Sequence, residues 1–298
     1  MPRLQPVVGF VADSAFHEAV RSMKLVFLGT PETAVPPLRA LVDAGHDVVR
    51  VITRVDKKRG RGGSLSPSPV KAVALELGLT VSHDPDDVMA AVDDGAELGV
   101  VVAFGRIIKP HLLEMVPMIN LHYSLLPRWR GAAPVERAIL AGDAETGVGV
   151  MRLEEGLDTG GLYAEERVPI GDHTTANELR AVLNEVGCRL LVGIVGRPVE
   201  EWIDSAVEQV GDTVYASKLD KAEFEIDWSR PGVETHRLIR IGGAWTTFRG
   251  KRLKLLAAEL VEGEIVPTTV QPEGKAPMAF DAWFNGAQPA RGELFGPR

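Results

Sequence analysis

The sequence predicts a doubly wound, mostly parallel α/β sheet followed by a smaller β-rich domain, and three observations predict it. From Lys24 to about Val195, short apolar runs alternate with amphipathic helical stretches, the rhythm of parallel strands joined by covering helices. After Arg197-Pro198 that rhythm gives way to short β segments with few helical signals. The 298 residues are also more than one ordinary domain of about 100–200 residues needs, and 45% hydrophobic with 25% charged residues is a globular composition with a sizeable core.

Strands are expected at Leu25–Leu28, Val48–Thr53, Leu79–Ser82, Gly99–Ala103 and Met118–His122. Helices fill the gaps at Glu32–Ala44, Pro69–Leu77, Asp86–Val92, Pro110–Glu114 and Pro134–Ala141. At Gly29-Thr30-Pro31-Glu32, Thr30 is placed to cap the first helix, with Pro31 preorganised at its first position. Gly147–Leu153 and Leu162–Val168 then read as a hairpin, and Thr175 to about Val195 as a long helix returning onto the sheet. Residues 1–22 do not share this pattern. They are expected to form a disordered leader before Met23. The division that follows is an α/β domain at 23–205, a linker at 206–221 and a C-terminal domain at 222–298. Ala244–Phe248, Leu253–Ala258 and Glu264–Val266 point to a small barrel in the last of these, with one helix at Val233–Ile239.

Composition excludes several classes. The longest apolar runs, such as Leu98–Phe104, are far shorter than the ~20 residues of a membrane helix. One cysteine, Cys188, rules out a disulfide framework or a multi-thiolate metal site and reads as a small buried hydrophobe. The Rossmann-like rhythm lacks G-x-G-x-x-G, which disfavours a nicotinamide cofactor. There is no G-x-S-x-G, H-E-x-x-H or Walker loop to anchor a hydrolase, zinc or P-loop reading.

With 33 Lys+Arg against 41 Asp+Glu, the net charge of −8 argues against general nucleic-acid affinity. The cations are clustered, however. Arg50 to Lys71 holds seven cations and one acid, Asp56; His236 to Lys254 holds six and no acid. Two basic islands on an acidic protein suit one polyanion met at chosen places.

The densest chemistry lies at Asn120–Pro127 (NLHYSLLP), where the strand ending at His122 leaves the sheet. Open α/β sheets bind ligands at such carboxyl ends. Strand alternation puts Asn120 and His122 on one face, an amide able to stabilise an oxyanion beside an imidazole able to move a proton. Leu157-Asp158-Thr159-Gly160-Gly161 offers a carboxylate on a glycine turn that could orient the ring, or merely form the turn.

NLHYSLLP, RWRGAAP (Arg128–Pro134), ETGV (Glu145–Val148) and LDTG (Leu157–Gly160) together resemble the formyltransferase family that uses 10-formyltetrahydrofolate. LGTPE (Leu28–Glu32), GRGGSLSPSPVK (Gly60–Lys71), AGDAETGV (Ala141–Val148), IDW (Ile226–Trp228) and VQPEGK (Val270–Lys275) resemble most closely its members acting on methionyl-tRNA. The resemblance implies Asn120, His122 and Asp158 as the catalytic trio. It implies a folate pocket from Ser124, Leu125, Leu126 and Pro127, with Ala103, Phe104 and Gly105 beside it. For the initiator tRNA it implies contacts from Lys57, Lys58, Arg59 and Arg61 and from Arg237, Arg240, Arg249 and Lys251. It also implies no metal, and a monomeric cytoplasmic enzyme away from membranes. Tyr123 stands where many members have glycine, and between Glu262 and Val270 the chain is short by about two strands of the family's OB-like barrel. A reduced OB-like domain is therefore expected. Two other readings stay open on the residues: a formyltransferase for a small amino-sugar or nucleotide amine, and a non-catalytic RNA-binding protein.

Overall fold

The computed structural model describes residues 22–59, 63–290, 293, 295 and 296. The expected leader falls outside them except for Ser22, whose hydroxyl donates to the Gly45 carbonyl at 2.8 Å. The chain runs β1 (Lys24–Gly29), α1 (Val35–Asp43), β2 (Asp47–Ile52), β3 (Lys57–Arg59), β4 (Ser64–Ser66), α2 (Pro69–Glu76), β5 (Val81–Ser82) and α3 (Val88–Asp93). Then follow β6 (Leu98–Val102), α4 (Pro110–Met115), β7 (Met118–His122), β8 (Arg128–Gly131), α5 (Pro134–Ala141), β9 (Glu145–Arg152), β10 (Leu162–Pro169) and α6 (Ala176–Val195). Past it lie α7 (Val199–Trp202), β11 (Val214–Ala216), α8 (Gly232–Arg240), β12 (Trp245–Phe248), β13 (Lys251–Val261), β14 (Glu264–Pro272), β15 (Met278–Ala279) and α9 (Phe280–Ala287).

Seven strands form the main sheet in the order β10-β9-β7-β6-β1-β2-β5. β5, β2, β1, β6 and β7 are parallel neighbours, and the β9–β10 hairpin adds antiparallel to β7. Alternation makes the sheet doubly wound: Leu25 and Phe27 of β1 enter one core cluster, Val26 and Leu28 the other. The first cluster lies under α1 and α6, with Leu38, Leu41, Leu183 and Leu191; the second takes Val88, Ala91 and Leu112 from α3 and α4. On β7, Ile119 and Leu121 face the first cluster and Met118 the second, so Asn120 and His122 share the face of Met118.

The long helix starts as its sequence demands, Thr175 and Glu178 forming a reciprocal capping box. Cys188 within it is half-buried, and burial pushes its thiol up to about 11, in keeping with an inert apolar role. The first helix departs from expectation. It opens with a tight turn at Glu32–Ala34 for which Pro31 is the N-cap, without a side-chain cap. Thr30 sits one residue too early and donates to the Phe104 carbonyl instead, at 3.5 Å.

The segment expected as a linker is built into the catalytic domain. Val207 exchanges backbone hydrogen bonds with Leu162, and β11 pairs in parallel with β8. These pairings satisfy backbone groups that would otherwise be left at a sheet margin. The C-terminal domain has the expected β-rich character, but its strands form an antiparallel meander, β12-β13-β14-β15, whose outer strand β12 also accepts backbone hydrogen bonds from Ile226 and Gly296. β13 and β14 join through Glu262 and Gly263, both at positive φ (51° and 86°), as a two-residue type I′ hairpin turn requires. Leu253, Leu255 and Val270 face a small core with Ile239 of α8. α9, which was not foreseen in the sequence, supplies Phe280 and Trp283 to that core's rim.

Candidate active site

β7 delivers Asn120 and His122 to the sheet's carboxyl end nearly buried, at 9% and 5% exposure. The Asn120 amide has no hydrogen-bond partner among the described residues. An amide so placed is available to a substrate oxygen. The chain then turns through Tyr123–Pro127, with a cis Leu126–Pro127 bond. Fully buried Ser124 locks the turn by donating to the Arg128 carbonyl at 2.7 Å. Tyr123 donates to Asn184 Oδ1 at 2.5 Å, and burial holds its phenol well above the usual range. The tyrosine thus ties the loop to α6 and leaves the neighbouring chemical groups untouched.

Two loops complete the surroundings of His122. From β8, the Trp129 carbonyl faces His122 Nε2 at 3.0 Å. A carbonyl only accepts, so Nε2 carries the hydrogen, and in the neutral ring Nδ1 keeps a free lone pair. From the β9–β10 connection, Asp158 Oδ2 lies 3.6 Å from Nδ1, beyond hydrogen-bond length but close enough to accompany a proton arriving there. The same Oδ2 accepts the Gly131 N–H at 2.7 Å, so β8 holds both partners of the ring. Asp158 has φ +50°, an uncommon conformation for a residue with a Cβ. At Gly160 a Cβ would collide with the Arg152 carbonyl, which is why a glycine follows so closely.

Val101 pairs with Asn120, which sets the turn after β6 beside the end of β7. There Ala103 and Gly105 have φ of +46° and +66° and are exposed, while the Phe104 ring is core at 2% exposure. Arg54 fixes the turn through the Gly105 carbonyl at 2.5 Å. Of the expected folate loop, Leu125 is half-buried while Leu126 and Pro127 are buried. Beside the loop, Glu165 accepts the Leu126 N–H, and desolvation raises its carboxyl above the usual range. A cavity of about 350 Å³ opens beside Leu125 and Trp129, lined also by Arg128, Asp143, Thr146 and Arg167; Asn120, His122 and Asp158 do not line it.

The basic islands separate in the fold. Lys57 and Lys58 are exposed on the β3–β4 hairpin, whose base Lys71 pins through Asp56 at 2.7 Å. Arg61 and the Arg59 side chain lie outside the described residues. In the second island, Arg240 donates to the Thr174 and Gly171 carbonyls, both at 2.8 Å, joining α8 to the catalytic domain. Arg249 grips Glu293 at 2.8 Å through Nε and Nη2. Arg237 lies against Gly142, while Lys251 and Arg252 are exposed, the latter 4.0 Å over the Trp245 ring. Sequence reasoning missed the Trp129 carbonyl, the Gly131 N–H and Gln209, whose amide reaches the Asp158 loop. RWRG was visible as a motif, but nothing near position 209 signals a partner 51 residues away.

This geometry, an amide and an imidazole at a sheet's carboxyl end with a carboxylate on a glycine turn, defines an acyl-type transferase. The formyl transferase family profile matches residues 23–195 and that of the formyl transferase C-terminal domain matches 218–266, so the chain belongs to the formyl transferase family. It is 42% identical to the methionyl-tRNA formyltransferase of Symbiobacterium thermophilum, covering 92% of this chain and 96% of that protein. The corresponding figures for the methionyl-tRNA formyltransferase of Dinoroseobacter shibae are 48%, 81% and 84%. Among solved structures, the methionyl-tRNA formyltransferase from Clostridium thermocellum shares the fold with a TM-score of 0.53 at 15% identity, covering 84% of this chain and 98% of that one. A sugar N-formyltransferase from Shewanella sp. shares it at 0.60 and 20% identity, covering 80% and 99%.

Proposed function

We propose that this enzyme transfers the formyl group of 10-formyltetrahydrofolate to the α-amino group of methionine on initiator tRNA, for translation initiation. The observation that carries the chemistry is the free Asn120 amide beside His122, whose ring is oriented by Trp129 and faced by Asp158. The acceptor is inferred from relatives named methionyl-tRNA formyltransferase that match over most of this chain.

The uncharged amine attacks the formyl carbon, and the Asn120 N–H donates to the oxygen as negative charge gathers there. His122 Nδ1 takes the proton released by the amine and returns it to the departing folate nitrogen, so the reaction closes without net proton change. Asp158 accompanies the charge on the ring. The folate is held by the Ser124–Pro127 loop and the exposed backbone of Ala103 and Gly105. No step calls for a metal. The acceptor end of the tRNA meets the basic segment 57–61, and Lys251 with Arg252 extends the contact. Arg240 contributes by holding the C-terminal domain to the α/β domain, with Arg237 beside it at Gly142, and Arg249 by tying the chain end to the β12–β13 turn. We place the enzyme in the cytoplasm as a monomer; no described helix is long and apolar enough to cross a membrane.

The test is a competition between acceptors. Purified enzyme with radiolabelled 10-formyltetrahydrofolate should label methionyl-tRNA and leave nucleotide-linked amino sugars unlabelled. Label in the sugar alone would move the enzyme to the small-amine branch, and label in neither would support a non-catalytic role.

A further inference from the structure

We infer that Gln209 is a positioning residue of the reaction, anchored on Arg130 of β8 and holding the Asp158 loop at the distance that His122 requires. The inference rests on the roles proposed above for His122 and Asp158. The Gln209 Nε2 amide donates to the Asp158 and Gly160 carbonyls, both at 2.8 Å. Its Oε1 accepts from Arg130 Nε at 3.0 Å and Nη2 at 2.7 Å. Two donors and two acceptor sites exhaust what a primary amide offers.

The partners explain why this matters. Arg130 lies between Trp129, whose carbonyl meets His122 Nε2, and Gly131, whose N–H binds Asp158 Oδ2. One side chain therefore bridges the two loops that supply both neighbours of the imidazole. Asp158 itself is held at φ +50°, an uncommon conformation for a residue with a Cβ that persists only when its surroundings impose it. Gln209 binds the carbonyl of that same residue. Its own place is set from both sides, by the Val207–Leu162 backbone pair and by β11 on β8.

The residue type is specific. Glutamate would keep the Arg130 contact, as a stronger ion pair, but would bring no donors to the two carbonyls. Lysine would lack the acceptor, and asparagine would be one methylene short. Glutamate is thus the substitution that separates the two halves of the bridge. If Gln209 acts only as a strut for Arg130, Gln209→Glu leaves catalysis intact. If it positions Asp158, Gln209→Glu and Gln209→Ala are impaired alike.

The experiment measures formyl transfer to methionyl-tRNA by the full chain with Gln209→Glu, Gln209→Ala, Asp158→Ala and the Gln209→Ala/Asp158→Ala double variant. A misplacement of about 1 Å can cost 100-fold, so kcat is expected to fall about 10- to 100-fold in both single Gln209 variants. The KM for folate and for tRNA should each move less than about 3-fold, since the loss is in the transition state rather than in binding. The double variant should be no slower than Asp158→Ala, because Gln209 acts through Asp158. Wild-type kcat in Gln209→Glu, or a further 10-fold loss in the double variant, would overturn the inference alone while Asp158→Ala stays slow. A wild-type rate in Asp158→Ala would overturn the reading of the site and this inference with it.

Discussion

The carboxyl end of β7 and the basic stretch from His236 to Lys254 both stood out in the sequence, and the fold treats them in opposite ways. At β7 the residues singled out converge: Asn120 and His122 share a face, and a loop from outside the strand brings Asp158 to 3.6 Å from the ring. The basic stretch is dispersed. Arg240 reaches carbonyls of the catalytic domain and Arg249 a carboxylate near the chain end, while Lys251 and Arg252 stay in water. The difference is one of constraint. Catalytic groups must meet at a point, so their spacing is written into a strand and a turn, whereas a cation can serve wherever an oxygen needs a partner.

If that contrast holds, the largest effects fall at the strand end. Asn120→Ala and Asp158→Ala should each lower kcat by about 10²–10⁴-fold with folate binding little changed, as steady-state and folate-binding titrations would reveal. Near-normal turnover in either would remove it from the trio.

Next comes Arg240→Ala, which strips charged donors from two carbonyls at the domain junction. A loss of about 1–3 kcal/mol is expected, visible as a lower Tm, with the salt dependence of tRNA binding unaltered. A flatter salt dependence at an unchanged Tm would return Arg240 to the tRNA surface. Replacing Lys57 and Lys58 by alanine should do the reverse, leaving Tm alone and reducing the slope of log K against log salt by about one unit per lost phosphate contact.

The smallest effect is on pH and stability. His46 is 5% exposed, and burial lowers its pKa; its Nδ1 accepts the Met23 N–H at 3.3 Å. His236 is lowered by burial first, then by Arg240 and His173, with Asp172 opposing. Both are favoured neutral in the fold, so the unfolded chain binds more protons once the pH drops below about 6.5. Stability contributed by both is full above that value and declines as the pH falls through their folded pKa values. Thermal melts from pH 8 to 5 should show this decline, and His46→Asn, which keeps an acceptor for Met23, should soften it. A melt insensitive to pH over that range would exclude both groups.

Much of the fold was legible because apolar periodicity reports burial directly: β1, β2, β6, β7 and α6 lie where the apolar pattern places them. Thr30 was misread because a tight turn shifted the helix start by one residue, which no local propensity reveals. β11 was invisible, since its three residues are a strand only because β8 offers unpaired backbone groups. The same holds at the site. Asn120 and His122 were legible through strand alternation, and Asp158 through its place on a glycine-rich turn. The Trp129 carbonyl and Gln209 were not, because a backbone acceptor carries no sequence signal and a contact across 51 residues carries none either.

The central claim is that the ring of His122 moves the proton between amine and folate. A single-turnover experiment with methionyl-tRNA and labelled 10-formyltetrahydrofolate, comparing the unaltered enzyme with His122→Ala, tests it most directly. The expected result is a transfer rate lower by about 10²–10⁴-fold while both substrates still bind and the protein melts as before. Transfer at an undiminished rate would contradict the account and leave Asn120 and Asp158 without the partner that joins them.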